Sequence, residues 1–296
     1  MSPESDFLEI VKPLGLNPEA GVWLARDLLS DQRMVLRESG GIASAHGADL
    51  VQQVRLLRQL DESGFTGAED IVWRDGTHPG FTARFVDSRS LNAIASEFGG
   101  SELIKVLRLI CQSMAYLHSI DFLHGDLKPD NILVDTESGA PIPRLTDLGL
   151  AVRPGTQLPT EIRGSRGYMS PEILEGQPLT EAIDIYSFGR IVEELANDPA
   201  VSAFATELLR LSQDCTDPRP EKRPRSFWDV EYRLSRLNPR RTTGSIRRAF
   251  SPPLRPVGLR LRLRLAARMM ARDGLRVRGH RPSRYREIEA DPGILP

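Results

Sequence analysis

The octet HGDLKPDN, residues 124–131, constrains the fold of this 296-residue chain more than any other stretch. Two short apolar segments follow it, NILV and PRLT, with the turn-rich DTESGAPI between them, and the tripeptide DLG comes next at 147–149. Short apolar segments on either side of a turn predict a β-hairpin. A hairpin in this position brings the octet and the tripeptide together at one edge of a sheet.

The polar side chains at that edge favour phosphoryl transfer. Asp126, Asn131 and Asp147 offer carboxylate and amide oxygens. Such oxygens suit Mg²⁺, which takes few protein ligands and shares the oxygens of a bound phosphate. Lys128 adds a positive charge beside them. Metal, lysine and a spare carboxylate together supply charge neutralisation, positioning and a proton acceptor.

The part of the chain before the octet is rich in strand patterns. The stretch GVWLARDLLSDQRMVLRES predicts a hairpin that turns at Ser30 and Asp31. ADLVQQVRLLRQL has apolar residues at helical spacing, and strands are expected at DIVW and FTARFV. We therefore expect a small, mainly β part with one helix.

From Ser101 onward the apolar spacing is helical. SELIKVLRLICQSMAYLH predicts a helix with Ser101 as its N-cap. Three later helices are predicted in TEAIDIYSFGRIVEELA, in PAVSAFATELLRLS with Asp198 as cap, and in SFWDVEYRLSRL with Ser226 as cap. The sequence thus predicts an α+β fold, with a cleft between a strand-rich part and a helix-rich part.

Composition favours a packed protein of the cytoplasm. Apolar residues make up 40% of the chain, which is enough for a core. The sequence has no run of about 18 apolar residues that would predict a membrane span. The acidic start MSPESDFLEI lacks the pattern of a signal peptide. Cys111 and Cys215 lie in apolar helical patterns, so we expect reduced core thiols.

The net charge of −1 hides two parts of opposite charge. Residues 238–296 hold 15 Arg, no Lys and 4 acids, a balance of +11, so residues 1–237 carry −12. We expect an Arg-rich, disordered tail at 238–296. It is suited to bind nucleic acid, an anionic surface or the chain's own acidic domain, and a solvated tail without a specific partner is the plain alternative.

Five motifs together resemble the eukaryotic-type protein kinase family. They are HGDLKPDN, DLG, GSRGYMSPE ending at Glu172, DIYSFG beginning at Asp184, and Arg223. Their order and spacing match over roughly residues 8–237. The resemblance implies a two-lobed fold, with an N-lobe of about 1–86 and a C-lobe of about 87–237. It also implies ATP and Mg²⁺ as cofactors and a protein as substrate or regulatory partner.

The resemblance assigns chemical roles to four residues. Asp126 corresponds to the catalytic base that orients the substrate hydroxyl, and Lys128 to the residue that steadies the transferred phosphoryl group. Asn131 and Asp147 correspond to the ligands of Mg²⁺. A lysine two positions after the base is typical of family members that act on serine and threonine.

Three further residues correspond to structural positions of the family. Glu172 and Arg223 are expected to form a buried ion pair in the C-lobe. Asp184 is expected to anchor the catalytic loop from a central helix. His124 is expected to be a packed scaffold residue.

The glycine-rich loop of the family is degenerate in PLGLNPEAGVW. With Val22 aligned, Gly15 matches the first glycine, but Asn17 and Ala20 replace the second and third, and Gly21 is displaced by one. Backbone amides approach a phosphate closely where no side chain intervenes, so this loop is expected to bind ATP poorly.

The strand motif of the family, Val-Ala-Ile-Lys, is replaced by Met-Val-Leu-Arg ending at Arg37. Arginine keeps the charge, but its planar fork differs from the point charge of lysine. The helix glutamate aligns with Gln53, which can accept a hydrogen bond from Arg37 but cannot form an ion pair. Val35 narrows the adenine pocket, and Ala83 opens space at its back.

Two positions of the hinge and one of the catalytic loop complete the comparison. The backbone at Arg84 and Val86 is expected to meet the adenine edge. Gly125 replaces the arginine that binds a phosphorylated activation segment, so control by phosphorylation is expected to be weak. Candidate phosphosites are Thr156, Thr160 and Ser165, with a plain flexible loop as the alternative.

Three functions remain open at this point. The first is an ATP-dependent Ser/Thr protein kinase of low activity. The second is a pseudokinase that acts as a nucleotide-binding or scaffold module. The third is a small-molecule phosphotransferase, because aminoglycoside and choline kinases often carry His-Gly-Asp, although GYMSPE is typical of proteins that bind a peptide substrate.

Overall fold

The computed structural model describes residues 8–14, 21–38, 47–60, 64–74, 78–136, 140–156 and 165–237. These residues all belong to one compact unit of the chain. Gly15 and the Arg-rich segment 238–296 lie outside the described residues, so the predictions for them stay predictions. Within the described ranges, no helix is both long and apolar enough to cross a membrane.

The first part of the chain forms a five-stranded antiparallel sheet with one helix. Its elements are β1 (Leu8–Pro13), β2 (Val22–Asp27), β3 (Arg33–Glu38), α1 (Gly47–Leu60), β4 (Ile71–Arg74) and β5 (His78–Arg84). The strand order is β1-β2-β3-β5-β4. The predicted hairpin is the β2–β3 pair, and Asp31 in its turn has a φ of 57°. Aspartate tolerates this left-handed conformation better than most residues.

The two faces of this sheet have different roles. Ala25, Leu36 and Val72 are buried together in an apolar cluster on one face. Strand alternation places Val35 and Arg37 on the other face. Register adds Val22, opposite Arg37, and Ala83, opposite Val35, to that same face. The residues predicted to contact a nucleotide therefore share one surface.

The second part is mainly helical, with a three-stranded sheet of order β6-β7-β8. Its elements are β6 (Ser88–Ser90), α2 (Leu91–Ile94), α3 (Gly100–Ser119), β7 (Ile132–Asp135), β8 (Ile142–Leu145), α4 (Pro171–Leu174), α5 (Ala182–Ala196), α6 (Ala205–Cys215) and α7 (Phe227–Ser235). The predicted α+β fold class is confirmed. The hairpin predicted after the octet is the antiparallel β7–β8 pair.

Helix α3 forms the centre of the helical core. Its apolar stripe is fully buried, at Leu103, Leu107, Ile110, Met114 and Leu117. The predicted N-cap at Ser101 is wrong, because the helix begins at Gly100. There the Glu102 side chain accepts a hydrogen bond from the backbone N of Gly99 at 3.1 Å, which caps the helix two residues before the predicted start is complete.

The later helices follow the predicted pattern with one difference. Pro199–Phe204 forms a 3₁₀ helix, and α6 begins only at Ala205, so the cap predicted at Asp198 precedes a tighter helix. Ser226 caps α7 as predicted, since its hydroxyl accepts from the backbone N of Asp229 at 3.3 Å. Cys111 and Cys215 are free and buried, as expected, and burial raises the pKa of Cys215 to about 12.

Candidate active site

The octet lies in the loop between α3 and β7, and Asp184 of α5 holds it from below. Asp184 is completely buried. Its Oδ2 accepts from the backbone N of His124 at 2.8 Å, and its Oδ1 from that of Gly125 at 3.0 Å. His118 Nε2 lies 2.8 Å from Oδ2. One buried carboxylate therefore fixes the backbone just before Asp126, as predicted for Asp184.

The carboxylate of Asp126 has partners on both oxygens. Lys128 Nζ lies 2.8 Å from Oδ2. Asn131 Nδ2 donates to the backbone O of Asp126 at 2.8 Å and to its Oδ2 at 3.2 Å. The 3₁₀ turn Pro129–Asn131 brings the amide back over Asp126. The structure thus brings Asp126, Lys128 and Asn131 into one half-buried cluster.

Ser165 is a member of this cluster that the sequence analysis missed. Its backbone N donates to Asp126 Oδ1 at 3.0 Å, and its hydroxyl accepts from Lys128 Nζ at 2.7 Å. The sequence analysis considered Ser165 as a phosphosite. Its place seven residues before Glu172, in a segment that resembles the substrate platform, was the available signal.

Asp147 lies opposite this cluster and has an unusual backbone conformation. Its φ and ψ are 64° and 67°, in the left-handed region, and its Oδ1 accepts from the backbone N of Gly149 at 3.3 Å. Arg37 Nη2 lies 2.5 Å from the same Oδ1. Burial opposes ionisation of Asp147, but the charge and hydrogen bond of Arg37 outweigh it, so the pKa of Asp147 is lowered.

The expected hydrogen bond between Arg37 and Gln53 is wrong for the described residues, because Arg37 pairs with Asp147 instead. Gln53 lies on the inward side of α1 with the buried Leu50, Val54 and Leu57. Its Nε2 is buried and has no hydrogen-bond partner in the described part of the chain. A charged carboxylate attracts a guanidinium more strongly than a neutral amide does.

The oxygens at this site fit a divalent cation that shares ligands with phosphate. Asn131 directs its amide nitrogen at Asp126, so its amide oxygen is the atom suited to a metal. Asp147 adds a carboxylate. No group of three or more His, Cys, Asp or Glu in the described ranges could hold a metal by itself. This small oxygen set suits Mg²⁺ bound with a nucleotide.

The other residues predicted to contact a nucleotide lie around the cleft face of the sheet. Val22 and Val35 are half-buried on that face with Arg37, and Ala83 is buried beside them. Arg84 is exposed at the end of β5, and Val86 is half-buried two residues later. Gly15 is outside the described residues. Their roles in nucleotide binding stay predictions.

A comparison with protein families decides the identity of the fold. Residues 44–227, more than half of the chain, match the model of the protein kinase domain. The chain belongs to the protein kinase family. The match spans the octet, DLG, Glu172, Asp184 and Arg223 in register.

Curated relatives of this kinase carry serine/threonine kinase names. The chain is 28% identical over 261 residues to the serine/threonine-protein kinase PkaA of Streptomyces coelicolor, covering 81% of this chain and 48% of the relative. It is 32% identical over 148 residues to a probable serine/threonine-protein kinase of Dictyostelium discoideum, covering 42% of this chain and 9% of the relative. It is 36% identical over 119 residues to the cysteine-rich receptor-like protein kinase 42 of Arabidopsis thaliana, covering 38% and 18%. The chain therefore spans about half or less of the length of these relatives.

The predicted ion pair of the kinase C-lobe is present and buried. Arg223 Nη1 and Nη2 lie 2.5 and 2.9 Å from the two carboxylate oxygens of Glu172. Both side chains are almost completely buried. Arg223 also donates to the backbone O of Asp217 and of Ala182, so its charge is well satisfied. The pair joins the end of the activation segment to the helical core.

Gly125 has a conformational role in this kinase that the sequence analysis did not recognise. Its φ is +78°, and a Cβ atom there would lie 2.6 Å from the backbone O of Leu150. A side chain at this position is strained by its φ and meets backbone. The glycine therefore lets the catalytic loop pass close to the segment after Asp147.

Proposed function

We propose that this kinase transfers the γ-phosphoryl group of ATP to serine or threonine hydroxyls of a protein, at a low rate. The observation that carries the proposal is the cluster at Asp126, in which Lys128, Asn131 and Ser165 all contact the same residue within 3.2 Å. Such an arrangement holds a carboxylate and a positive charge together at one point.

The chain's own residues divide the work in a simple way. Asp126 orients the incoming hydroxyl and takes its proton as the new P–O bond forms. Lys128 keeps its charge beside this carboxylate and stabilises the negative charge on the transferred group. When bound at Asn131 and Asp147, Mg²⁺ supplies neutralisation of the phosphate charge.

The preference for serine and threonine rests on Lys128 and Ser165. Lys128 lies two residues after Asp126 and joins it to Ser165 of the segment before Glu172. The lysine position is typical of kinases that act on aliphatic hydroxyls, and the curated relatives carry serine/threonine names. The partner of the site is therefore a protein that presents serine or threonine.

The N-lobe supports a low rate. Arg37 replaces the strand lysine and pairs with Asp147, while Gln53 offers no charge on α1. Val35 adds bulk to the cleft face of β3, and Ala83 across from it removes bulk. We infer that ATP is held less firmly than in a kinase with the complete lysine–glutamate pair.

The Arg37–Asp147 pair also favours a second candidate, a pseudokinase that acts by binding. In that function the pair closes the site, and the C-lobe serves as a scaffold. The small-molecule phosphotransferase finds no support among these curated relatives, which carry protein kinase names. The partner of the Arg-rich segment stays a prediction.

Acceptor specificity tests the proposal. The full chain is incubated with Mg²⁺ and radiolabelled ATP, together with matched peptide libraries whose single hydroxyl residue is serine, threonine or tyrosine. Aminoglycosides and choline serve as small-molecule acceptors. We expect label on the serine and threonine libraries. Label on the small alcohols, or on the tyrosine library alone, would reject the proposed substrate class, and no label with any acceptor would favour the pseudokinase.

A further inference from the structure

Arg37 has an ionic partner that a catalytic role does not require. Its Nη2 lies 2.5 Å from Asp147 Oδ1, the oxygen that also accepts from the backbone N of Gly149. The two side chains are 26% and 27% exposed, so the pair is shielded from water on most of its surface. Shielding strengthens a charge-assisted hydrogen bond.

Gln53 explains why Arg37 has this partner. Helix α1 packs against the turn Leu148–Leu150 that follows Asp147. Gln53 points inward on that helix, and its Nε2 has no hydrogen-bond partner among the described residues. A neutral amide cannot hold the guanidinium as an ion pair, so Asp147 is the carboxylate that binds it.

We propose that Arg37 and a divalent metal ion compete for Asp147, so that Arg37 acts as a built-in lock on the metal site. The inference rests on the proposed function, in which Asp147 binds Mg²⁺ beside a nucleotide. A guanidinium and a metal ion cannot both ligate Oδ1 of Asp147 at full strength, because each requires the same lone pairs.

The lock opens when Arg37 finds another anion. The phosphates of a nucleotide offer that anion, because Arg37 lies on the cleft face with Val22 and Val35. Nucleotide binding then releases Asp147 for the metal. Without nucleotide, metal binding carries the cost of breaking the ion pair.

Two variants separate this proposal from a merely structural ion pair. Gln53→Glu adds a carboxylate on the inward side of α1, which draws Arg37 away from Asp147. Gln52→Glu adds the same charge at the neighbouring exposed position and is the matched control. Arg37→Ala removes the lock directly. Asp147→Asn reports binding of metal elsewhere on the acidic chain.

Metal binding is measured without nucleotide, using Mn²⁺ alone on the full chain. Mn²⁺ accepts the same oxygen ligands as Mg²⁺, and its free concentration is read from its paramagnetic resonance signal. We expect Gln53→Glu and Arg37→Ala to bind Mn²⁺ about tenfold more tightly than the wild type. Gln52→Glu should match the wild type, and Asp147→Asn should lose the site.

The binding of ADP in EDTA gives the opposite sign for Arg37. Without metal, Arg37→Ala should bind ADP about tenfold more weakly, because the phosphates lose their guanidinium. Equal or weaker Mn²⁺ binding by both Gln53→Glu and Arg37→Ala overturns the lock. Tighter Mn²⁺ binding with no transfer of phosphate by any variant keeps the lock and rejects the proposed kinase activity.

Discussion

The backbone N of Ser165 donates to Asp126 Oδ1 at 3.0 Å, and this bond joins the segment before Glu172 to the catalytic carboxylate. Lys128 strengthens the link, because its Nζ contacts Asp126 Oδ2 at 2.8 Å and the Ser165 hydroxyl at 2.7 Å. The segment that would bind a protein substrate is therefore held against the residue that would orient the substrate hydroxyl.

A negative charge at Ser165 should inactivate the kinase. Ser165→Glu places a carboxylate beside Asp126 and draws Lys128 to itself, so we expect the transfer rate to fall about 100-fold. The initial rate at saturating Mg-ATP is the measurement. Thr156→Glu is the control, since the Thr156 hydroxyl donates to the backbone O of Arg153 and should leave the rate near wild type. A Ser165→Glu variant as active as the wild type would contradict the geometry.

Breaking the buried ion pair of the C-lobe should cost much more than breaking an exposed one. Arg223→Ala leaves the buried Glu172 without its partner, and the free energy of unfolding should fall by about 3–5 kcal/mol. Arg233→Ala breaks the exposed pair with Asp214 and should cost less than about 1 kcal/mol. Urea denaturation measures both, and equal losses would show that burial does not decide the cost.

Adding a methyl group at Gly125 should destabilise the catalytic loop. Gly125→Ala combines a φ of +78° with a 2.6 Å approach to the backbone O of Leu150, so we expect a loss of about 2–5 kcal/mol. Gly176→Ala is the matched control, because Gly176 has a φ of +67° and its Cβ would meet no atom of the described residues within 4 Å. That variant should lose only about 1–2 kcal/mol. Thermal unfolding of both variants gives the comparison.

Stability should fall as the pH rises toward 9, because of His118. Burial lowers the pKa of His118, but the hydrogen bonds and charges of Asp184 and Glu181 outweigh it and raise the pKa from 6.5 to about 9. A raised pKa in the folded state means that the stabilisation is complete below pH 6.5 and is lost as the pH passes about 9. The loss should be on the order of 3 kcal/mol.

The matching control for this pH effect is His118→Gln, which keeps a hydrogen-bond donor near Asp184 but cannot titrate. Its free energy of unfolding should be lower than that of the wild type at pH 6. It should also change less between pH 6 and pH 9. A wild type whose stability rises over this range would contradict the assignment of charge to His118.

Local patterns predicted most of the fold. The β2–β3 and β7–β8 hairpins, the buried stripe of α3 and the cap at Ser226 each depend on neighbouring residues in the sequence. The motifs also identified Asp126, Lys128 and Asn131, which the structure brings together. Spacing is sufficient for these features because their partners lie within a few residues.

The contacts that the sequence did not predict join distant segments. Arg37 pairs with Asp147 rather than Gln53, and Ser165 binds Asp126 across 39 positions. Sequence spacing does not show which of several anions lies within reach of a long side chain. Likewise, the positive φ of Gly125 follows from the close approach of Leu150, which no local pattern reveals.

Phosphate transfer by the wild type and by Asp126→Asn tests the central claim most directly. Asparagine keeps the size of the side chain, but it removes the charge that pairs with Lys128 and the site that accepts the proton. With Mg²⁺, labelled ATP and the serine and threonine peptide libraries, we expect a slow transfer by the wild type and a rate at least about 100-fold lower for the variant. Equal rates for the two proteins, or no transfer by the wild type above the variant, would contradict catalysis at Asp126.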